Sequence, residues 1–405
     1  MKSLSQSIAE IIEEIKNTTQ FNVELLNHLT FHYGIARTRK IIDSLKTYPT
    51  TYPLRVNTQI TTREKLIASL NEKKITAKEH PELEDCLLVD VQGPISLTKK
   101  EKSIILNYNN SINNLPIGAN LGAKDFTTED SIDIGDEVSI LDKRGEIYAY
   151  GIVMMKPEDL ANNEKGIAIK TFESKYKIPN FRTVKEFLRG QFIHQTIPSI
   201  LVGQQINLKP KDRVLDLTPE NGEIISHIWQ RNAHIESKII AIHSSPNQFE
   251  RFQENIKRLR MYKAPIEHFH LKLTKFAERF NRPETFDWII LQPPSTDIGI
   301  RPKVFADISE KLIFNYEKIQ KKFIKEAARV LKRNGTLFYL TNSIDPVENE
   351  NIIQYAVEDL GLRITKQNIE LGSKCTAEVS NGNQLQYFFP EIQNTHGQFV
   401  AKLTK

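Results

Sequence analysis

The stretch that decides the fold class is RVLDLTPENGEIISHIWQRNAHIESKIIAIHSSPNQFERFQENIKRLR, residues 213–260. RVLDL and KIIAIH are short apolar runs that predict buried strands. NGEIISHIWQR and PNQFERFQENIKRLR predict helices, the second with a proline at its first position. Strands that alternate with helices indicate a mostly parallel, doubly wound α/β sheet. Such sheets bind ligands beyond the carboxyl ends of their strands, so we expect the functional site in this half of the chain.

The same alternation continues towards the C-terminus. FDWIILQ (286–292) and TLFYLTNS (336–343) predict further strands. FNYEKIQKKFIKEAARVLKRNG (314–335) predicts a long helix, which we expect Gly335 to end. A helix over 347–361 and several closing strands follow.

The first half of the chain has a different sequence pattern. Residues 1–93 begin as helices, including an amphipathic one at the N-terminus with Leu4, Ile8 and Ile11. They continue as α+β, with strand LRVNT, a helix capped by Thr61 or Thr62, and strand CLLVDV. Residues 94–179 are short β-type runs separated by Gly, Asn and Asp, with a hairpin turn at Asp142–Gly145. This second segment predicts a small β-barrel.

Composition limits the function classes. A chain of 405 residues with 39% hydrophobic and 26% charged residues predicts two or three globular domains, not a disordered or collagen-like protein. Cys86 and Cys375 are its two cysteines, which excludes a disulfide framework and a zinc site of several thiolates. We expect no metal site. With no apolar stretch of about 18 residues and no signal peptide, a cytoplasmic protein is expected.

The C-terminal half resembles the Sun-type (Nol/Nop/Sun, RsmB-like) RNA cytosine-5 methyltransferases. GQFIHQTIPSILVGQQINLKPKDRVLDL is similar to the family's Gly-x-x-x-x-Gln-x-x-x-Ser motif and first strand, FDWIILQPPSTDIG to its fourth motif, and NGTLFYLTNSIDPVENE to its sixth. THGQFVAKL resembles the family's closing strand, and LRVNT its N-terminal strand. The resemblance implies a Rossmann-like S-adenosylmethionine-dependent methyltransferase fold, with S-adenosylmethionine as cofactor and transfer or ribosomal RNA as partner.

The β-rich segment resembles the RNA-binding PUA domain, through GANLGAKDF and IGDEVSILDKRGEIYAYGIVMM. A PUA domain before the catalytic domain is an arrangement known in the family. We therefore expect an N-terminal helical and α+β region of RNA-binding type (1–93), a PUA-like domain (94–179) and a methyltransferase-like domain (180–405).

The catalytic groups of the family are missing at the matching positions. The family adds a cysteine thiolate to carbon 6 of cytosine, because carbon 5 is otherwise a poor nucleophile. The resemblance places Asn342 at the nucleophile, Ser295 at the cysteine that helps to release the product, and Gln292 at the aspartate that steadies the ring. Cys86 and Cys375 lie in neither motif. We interpret the chain as a pseudoenzyme or an enzyme with changed chemistry.

The positions that match the family's cofactor site are altered as well. The glycine- and lysine-containing loop after the first strand reads TPENGEII, in which Gly222 remains and Ile224 stands at the lysine. Asp216 is kept, and His243 stands where an acidic residue would accept bonds from the ribose hydroxyls. Asp216, Gly222 and His243 are therefore the candidate remnants of a cofactor site, although Asp216 could equally cap its loop and His243 be a plain loop residue.

Other residues have simpler interpretations. Packing roles are expected for His194 and Gln195, a loop-bracing role is an alternative for Asn342, and helix capping explains Glu348 and Glu350. Gln292-Pro293-Pro294-Ser295 also resembles, loosely, the Asn/Asp-Pro-Pro-aromatic motif of methyltransferases that act on exocyclic amines. It lacks the aromatic residue.

Basic residues predict RNA contacts, although solvated helix faces would explain any single run of them. The candidates are Lys124, Lys143, Arg144, Arg182, Arg251, Arg258 and Arg260. The leading hypothesis is an RNA-binding member of the family that has lost cytosine methylation. The alternatives are an active S-adenosylmethionine-dependent RNA methyltransferase with another mechanism or target atom, and a scaffold subunit for an active RNA-modifying enzyme.

Overall fold

The computed structural model describes residues 10, 12–17, 19–107, 109–155, 166–375 and 381–405. Residues 12–17 are helical, whereas Leu4, Ile8 and Ile11 of the predicted N-terminal helix lie outside the described residues. No helix within the described ranges is long and apolar enough to cross a membrane.

The helices are α1 (Val23–Tyr33), α2 (Ile35–Leu45), α3 (Arg63–Glu72), α4 (Lys185–Leu188), α5 (Ile197–Gln204), α6 (Glu223–Arg231), α7 (Pro246–Arg258), α8 (Leu273–Arg279), α9 (Glu310–Val330), α10 (Glu350–Glu358) and α11 (Pro390–Gln393). The strands before the large sheet are β1 (Gln20–Phe21), β2 (Thr51–Val56), β3 (Ala77–Glu79), β4 (Cys86–Asp90), β5 (Lys102–Leu106), β6 (Phe126–Thr127), β7 (Glu137–Leu141), β8 (Ile147–Val153), β9 (Ile169–Ser174) and β10 (Phe192–His194). The later strands are β11 (Arg213–Asp216), β12 (Lys238–His243), β13 (Ile266–His270), β14 (Phe286–Leu291), β15 (Phe305–Ala306), β16 (Leu331–Thr341), β17 (Arg363–Ile364), β18 (Ser373–Lys374), β19 (Gln386–Phe388) and β20 (Gln398–Thr404).

The chain forms two compact units, each built from separate stretches of sequence. Unit 1 contains Met1–Thr50, Val91–Pro179 and Ile300–Glu310, and unit 2 contains Thr51–Asp90, Asn180–Gly299 and Lys311–Lys405. The predicted domain boundaries at residues 93 and 179 rest on sequence resemblance, whereas the two units are defined by spatial contacts. The predicted boundaries are therefore not tested by this division and remain predictions.

Unit 1 contains the predicted β module. Its five-stranded sheet has the order β6-β5-β7-β8-β9, in which β5 and β7 are parallel and the other neighbours antiparallel. The predicted hairpin joins β7 to β8, and its turn closes with Gly145 N donating to the Asp142 carbonyl at 3.0 Å. In the same unit, β1 pairs in parallel with β15.

Unit 2 contains a small antiparallel sheet of order β10-β2-β4-β3. The predicted strands LRVNT and CLLVDV correspond to β2 and β4, and Thr62 caps α3 by accepting from Lys65 N at 3.3 Å. The fourth strand, β10, comes from beyond residue 180. Leu83 and Cys86 belong to the hydrophobic core that also contains Ile225 and Phe252, so this small sheet and the large one are parts of one packed unit.

The large sheet of unit 2 confirms the predicted doubly wound architecture. Its order is β13-β12-β11-β14-β16-β20-β19-β18, with β17 beside β20. The strands from β13 to β16 in this order are all parallel, and the closing strands are antiparallel. The chain adds β12 and β13 on one side of β11 and then β14 and β16 on the other. The carboxyl ends of β11 and β14 therefore flank the point where the winding reverses, which is the usual ligand position in such sheets.

One predicted boundary is wrong. Gly335 does not end the long helix, because α9 ends at Val330 and β16 begins at Leu331. Leu331 pairs with Phe286, and a register shift follows before Thr336 pairs with Trp288. Gly335 lies in this irregular part of the strand, where a Cβ would approach Leu331 Cδ1 to 2.8 Å.

Candidate functional site

A cavity of about 240 Å³ lies at the carboxyl ends of the parallel strands in unit 2. Its walls come from the loops after β11, β12, β14 and β16 and from one face of α9. It is lined by Thr218, Glu220, Ile242, Ser244, Gln248, Gln292, Pro293, Pro294, Ser295, Asp297, Tyr316, Phe323 and Asn342. The three positions that the resemblance assigns to catalysis, Gln292, Ser295 and Asn342, therefore all line one cavity.

Asn342 is held in place by its neighbours. Its Oδ1 accepts from Gln398 Nε2 at 2.8 Å, and its backbone carbonyl accepts from Gly299 N at 3.0 Å. This arrangement leaves the amide nitrogen as the part of the Asn342 side chain that can serve the cavity, as a hydrogen-bond donor. A carboxamide cannot add to a pyrimidine ring, so this position offers recognition but no nucleophile.

Ser295 and Gln292 are likewise tied into their loop. Ser295 Oγ donates to Asp297 Oδ1 at 2.9 Å, and Gln292 N donates to Thr218 Oγ1 at 2.7 Å. The Pro294 carbonyl accepts from Gln320 Nε2 at 3.0 Å. The loop supplies polar groups at fixed positions but holds no thiol.

Glu348 joins the two loops that carry Ser295 and Asn342. Its fully buried carboxylate accepts from Thr296 Oγ1 at 2.5 Å in one loop and from Ser343 Oγ at 2.6 Å in the other. Burial raises the pKa of Glu348 to about 7, although these hydrogen bonds lower it. The capping interpretation of Glu348 is wrong, since its carboxylate joins these two loops instead of accepting from the start of α10.

Glu350 has a similar buried role. It accepts from the Tyr387 hydroxyl and lies 3.0 Å from the Cys375 thiol. Glu350 is also the acid in the first turn of α10, as the capping interpretation expects.

Acidic groups crowd the loop after β11. Glu220 lines the cavity with a backbone φ of +43°, and burial raises its pKa to about 7, as do nearby Glu223 and Asp297. Asp216 is buried behind it, and burial raises its pKa to about 8, helped by the same two glutamates. The residues that line the cavity include no lysine or arginine.

The three predicted cofactor residues all have contacts within the fold. Asp216 accepts from Thr218 N at 2.9 Å. Gly222 has φ +86°, and a Cβ there would lie 2.9 Å from the Phe252 ring. His243 is buried outside the cavity lining, with its ring centroid 4.6 Å from that of Phe252, and burial lowers its pKa to about 4.

These residues do not fit two parts of S-adenosylmethionine, its ribose and its methionine carboxylate. His243 is a neutral ring packed among aromatic side chains, so it does not supply a carboxylate to ribose hydroxyls. Ile224, at the family's lysine position, is buried and apolar. The strand frame of a nucleotide site is present, but the groups that would hold the ribose and the methionine carboxylate are not.

Both thiols lie away from the cavity lining. Cys86 is buried in β4, where burial raises the pKa of its thiol well above the usual range. Cys375 is buried beside Glu350. The packing roles expected for His194 and Gln195 agree with the structure, since the His194 ring lies 4.3 Å from that of Tyr52 and Gln195 Oε1 accepts from Arg55 Nε at 2.6 Å.

Six of the seven predicted RNA-contacting residues are exposed, and Arg258 is half-buried. Lys124, Lys143, Arg182, Arg251 and Arg260 are exposed. Arg144 pairs with Asp142 at 2.8 Å.

Arg258 is used inside the fold. Its Nη1 donates to the carbonyls of Phe187 and Phe192 at 2.9 and 3.0 Å, and its guanidinium stacks 3.9 Å above the Phe187 ring.

Sequence reasoning missed several residues that line the cavity or hold its lining in place. Gln398 orients Asn342 from the neighbouring strand β20, and Tyr316 and Phe323 reach the cavity from α9. No direct sign of these residues is present in the sequence. Gln398 lies in THGQFVAKL, which resembles only a closing strand of the family, and the α9 sequence is that of an ordinary amphipathic helix.

Three family models match the chain in the expected order. Residues 25–96 match the ferredoxin-like domain of the RsmF/B-like methyltransferases, residues 110–173 match the PUA domain, and residues 204–404 match the 16S rRNA methyltransferase RsmB/F family.

Relatives with named activities match most of the chain. A tRNA (cytosine(72)-C(5))-methyltransferase of Pyrococcus horikoshii is 29% identical over 391 residues, which are 95% of this chain and 97% of the relative. Human NSUN6, with the same named activity, is 24% identical over 87% of this chain and 82% of its own length. The crystal structure of Pyrococcus horikoshii NSun6 with SFG, an S-adenosylmethionine analogue, matches with a TM-score of 0.83 and 29% identity, covering 95% of this chain and 98% of the other.

Proposed function

Because this chain carries an RsmB/F Sun-type methyltransferase domain together with ferredoxin-like and PUA domains, we propose that it is an RNA-binding protein, directed to transfer or ribosomal RNA, that does not methylate cytosine at carbon 5. The methyltransferase family is S-adenosylmethionine-dependent, and its related members act on tRNA and rRNA cytosines. The RNA partner follows from that relationship and from the PUA domain.

One observation carries the loss of activity. Asn342 and Ser295 stand in one cavity at the positions where the family resemblance places two cysteines, and both side chains are engaged by Gln398 and Asp297. Carbon 5 of cytosine becomes reactive only after a thiolate has added to carbon 6. With no thiol lining the cavity, the addition has no nucleophile.

A direct assay tests this proposal. The protein is incubated with bulk transfer RNA and isotope-labelled S-adenosylmethionine, and the RNA is digested and analysed by mass spectrometry. The Pyrococcus horikoshii tRNA (cytosine(72)-C(5))-methyltransferase serves as the positive control. We expect no labelled 5-methylcytosine from this protein. Labelled 5-methylcytosine that disappears in Asn342→Ala would overturn the proposal.

A gel-shift titration with the same unlabelled RNA separates binding from catalysis. We expect a retained complex under conditions where no product forms. The exposed predicted residues Lys124, Lys143, Arg182, Arg251 and Arg260 remain candidates for phosphate contacts, whereas we propose structural roles for Arg144 and Arg258. The predicted cytoplasmic location stays a prediction.

The second candidate is an active methyltransferase with another mechanism or target atom. Its support is the coverage of almost the full chain by a relative that is named as an active enzyme. Calorimetry with S-adenosylmethionine decides between the two, since binding heat supports this candidate and its absence at millimolar ligand removes it. A scaffold role for an active RNA-modifying partner would instead be supported by co-purification of such an enzyme.

A further inference from the structure

The exposed face of α9 carries a row of lysines with no acidic partners. Lys311, Lys318, Lys322 and Lys325 are all exposed, and none of the four forms an ion pair with a described residue within 4.0 Å. At 100° per residue these positions fall within an arc of about 60°, and at 1.5 Å per residue they extend over about 21 Å. We call this set the lysine row.

The acids of the same helix are occupied elsewhere. Glu317 pairs with Lys321 at 2.9 Å, Glu326 pairs with Arg329 at 2.8 Å, and Glu310 Oε1 lies 3.8 Å from His28 Nδ1. The positive charge of the lysine row is therefore not neutralised from within the helix. Four uncompensated lysines on one rigid element form a surface that attracts a chain of negative charges.

Apolar side chains lie beside the lysine row. Phe314, 43% exposed, lies just outside one edge of this arc. Beyond the other edge, Leu312 and Ile319 are each 37% exposed, about 60–80° around the helix from Lys322. Another step in the same direction brings Tyr316 and Phe323, which line the cavity. Around the circumference of α9, the lysine row is thus followed first by exposed apolar side chains and then by side chains that line the cavity.

This sequence of surfaces matches the chemistry of one ligand. A single-stranded nucleic acid has phosphates along one side and flat, partly apolar bases along the other. Protein surfaces that bind it combine a basic track with aromatic side chains on which bases stack. A folded acidic protein would have no corresponding use for the graded apolar side.

We propose that α9 is a track for single-stranded RNA, in which the lysine row holds the phosphates, Leu312 and Ile319 contact a base, and the strand leads a nucleotide towards Tyr316, Phe323 and the cavity. The inference rests on the proposed RNA-binding function and names the surface that performs it. It also predicts that an unpaired region of the RNA, and not a duplex, is the part bound here.

The test uses the full chain and a fluorescein-labelled single-stranded RNA of about 12 nucleotides, a length within the usual site sizes. The triple variant Lys318→Gln, Lys322→Gln and Lys325→Gln removes three charges from the row. Its matched control, Lys275→Gln, Lys366→Gln and Lys374→Gln, removes three charges from other exposed lysines. Affinity is measured by anisotropy at several salt concentrations.

We expect the row variant to bind at least about 10-fold more weakly at 0.1 M salt, and its slope of log affinity against log salt to fall by about 2. The control variant should match the wild-type protein. Ile319→Ala should weaken binding by about 3-fold or more with an unchanged salt slope, because it removes apolar contact with a base and not charge. Phe314→Ala, on the other edge of the row, should bind like the wild-type protein.

The outcomes separate the two proposals. If the wild-type protein binds the RNA and the row variant binds as tightly as the control variant, the track on α9 is overturned while the RNA-binding function stands. If the wild-type protein binds neither this RNA nor transfer RNA, the proposed function fails and the track fails with it.

Discussion

At the scale of single residues, Glu348 shows how the cavity keeps its shape. Besides Thr296 and Ser343, its carboxylate accepts from Gln320 Nε2 at 3.0 Å. Replacing Glu348 by Ala leaves these buried donors without an acceptor, so we expect the free energy of unfolding to fall by about 3 kcal/mol. Glu348→Gln keeps one accepting oxygen and should lose less. Urea unfolding measures both, and equal losses would contradict this role.

Asp216 gives a prediction about pH. Its pKa is raised from 3.8 to about 8 in the folded protein, so the native state holds a proton that the unfolded chain releases. The stability contributed by this proton is present at low pH and is lost as the pH rises through the folded pKa.

Between pH 5 and 8 we therefore expect the unfolding free energy of the wild-type protein to fall more steeply than that of Asp216→Asn, by up to about 1.4 kcal/mol per pH unit. Glu236→Gln, at an exposed acid, should parallel the wild-type protein. Denaturant unfolding at several pH values measures the slopes. Identical slopes for wild type and Asp216→Asn would show that the Asp216 pKa is not raised.

The sequence was sufficient to locate the cavity residues that stand at the family's catalytic positions. It was not sufficient to find the residues that hold those side chains in place. Asn342, Ser295 and Gln292 were found because flanking motifs fix their places, and they do line one cavity. Gln398 was missed because its partner Asn342 is 56 residues away in sequence, across a strand pairing that only the folded sheet brings together. The acids of Glu348-Asn349-Glu350 were read as caps, because a local pattern cannot show that Glu348 is buried against two distant loops.

At the scale of elements, Gly222 before α6 is constrained by a neighbouring helix. Its φ of +86° is one that L side chains rarely adopt, and a Cβ would meet the Phe252 ring on α7 at 2.9 Å. Gly361 is the matched control, because its φ is +69° and a Cβ there would meet nothing within 4 Å.

We expect Gly361→Ala to cost about 1 kcal/mol from backbone strain alone, and Gly222→Ala to cost about 1–3 kcal/mol more from the contact with Phe252. The two tryptophans, Trp229 and Trp288, both lie in unit 2, so their fluorescence follows the unfolding of the relevant unit. Equal losses of unfolding free energy in the two variants would show that α7 moves away from the added Cβ without an energetic penalty.

The elements that the sequence predicted well are those whose own pattern decides them. The helix from Pro246 begins as expected, because Ser245 accepts from Gln248 N and proline suits the first position. The end of α9 was misplaced because a glycine after a basic stretch is a common helix end. Here the pairing of Leu331 with Phe286 turns the chain into a strand four residues earlier, and no local signal records that pairing.

At the scale of the whole molecule, unit 2 depends on residues that precede the β module. Arg55 is fully buried and donates to Gln195 Oε1 at 2.6 Å and Ser226 Oγ at 2.5 Å, and Asp85 accepts from Arg231 Nη1 at 2.8 Å. Burial lowers the pKa of Arg55 to about 9. These contacts, and the shared core with Leu83 and Cys86, join residues 51–90 to the methyltransferase-like part.

We therefore expect a fragment of residues 180–405 to lack a cooperative unfolding transition, because it loses the β2 partner of β10 and part of its core. Tryptophan fluorescence during urea unfolding compares it with the full chain. A fragment with the same transition midpoint as the full chain would show that residues 51–90 contribute nothing to this fold.

The sequence predicted the kinds of domain but not how the chain is shared between units. Family motifs and strand–helix alternation indicated the doubly wound sheet and the β module. They could not show that Thr51–Asp90 packs with residues beyond 180, since a PUA-like segment separates them along the chain. Long-range pairing of this kind leaves no periodic signal.

The interleaving of the two units also determines when each can form during synthesis. Gln20 pairs with Phe305, 285 residues later, and Val56 pairs with Phe192. At about 5–20 residues per second, the ribosome delivers the partner of Gln20 roughly 15–60 s after Gln20 itself. Until then the N-terminal segments of the nascent chain lack their pairing partners, so we expect this protein to be most prone to aggregation early in its synthesis.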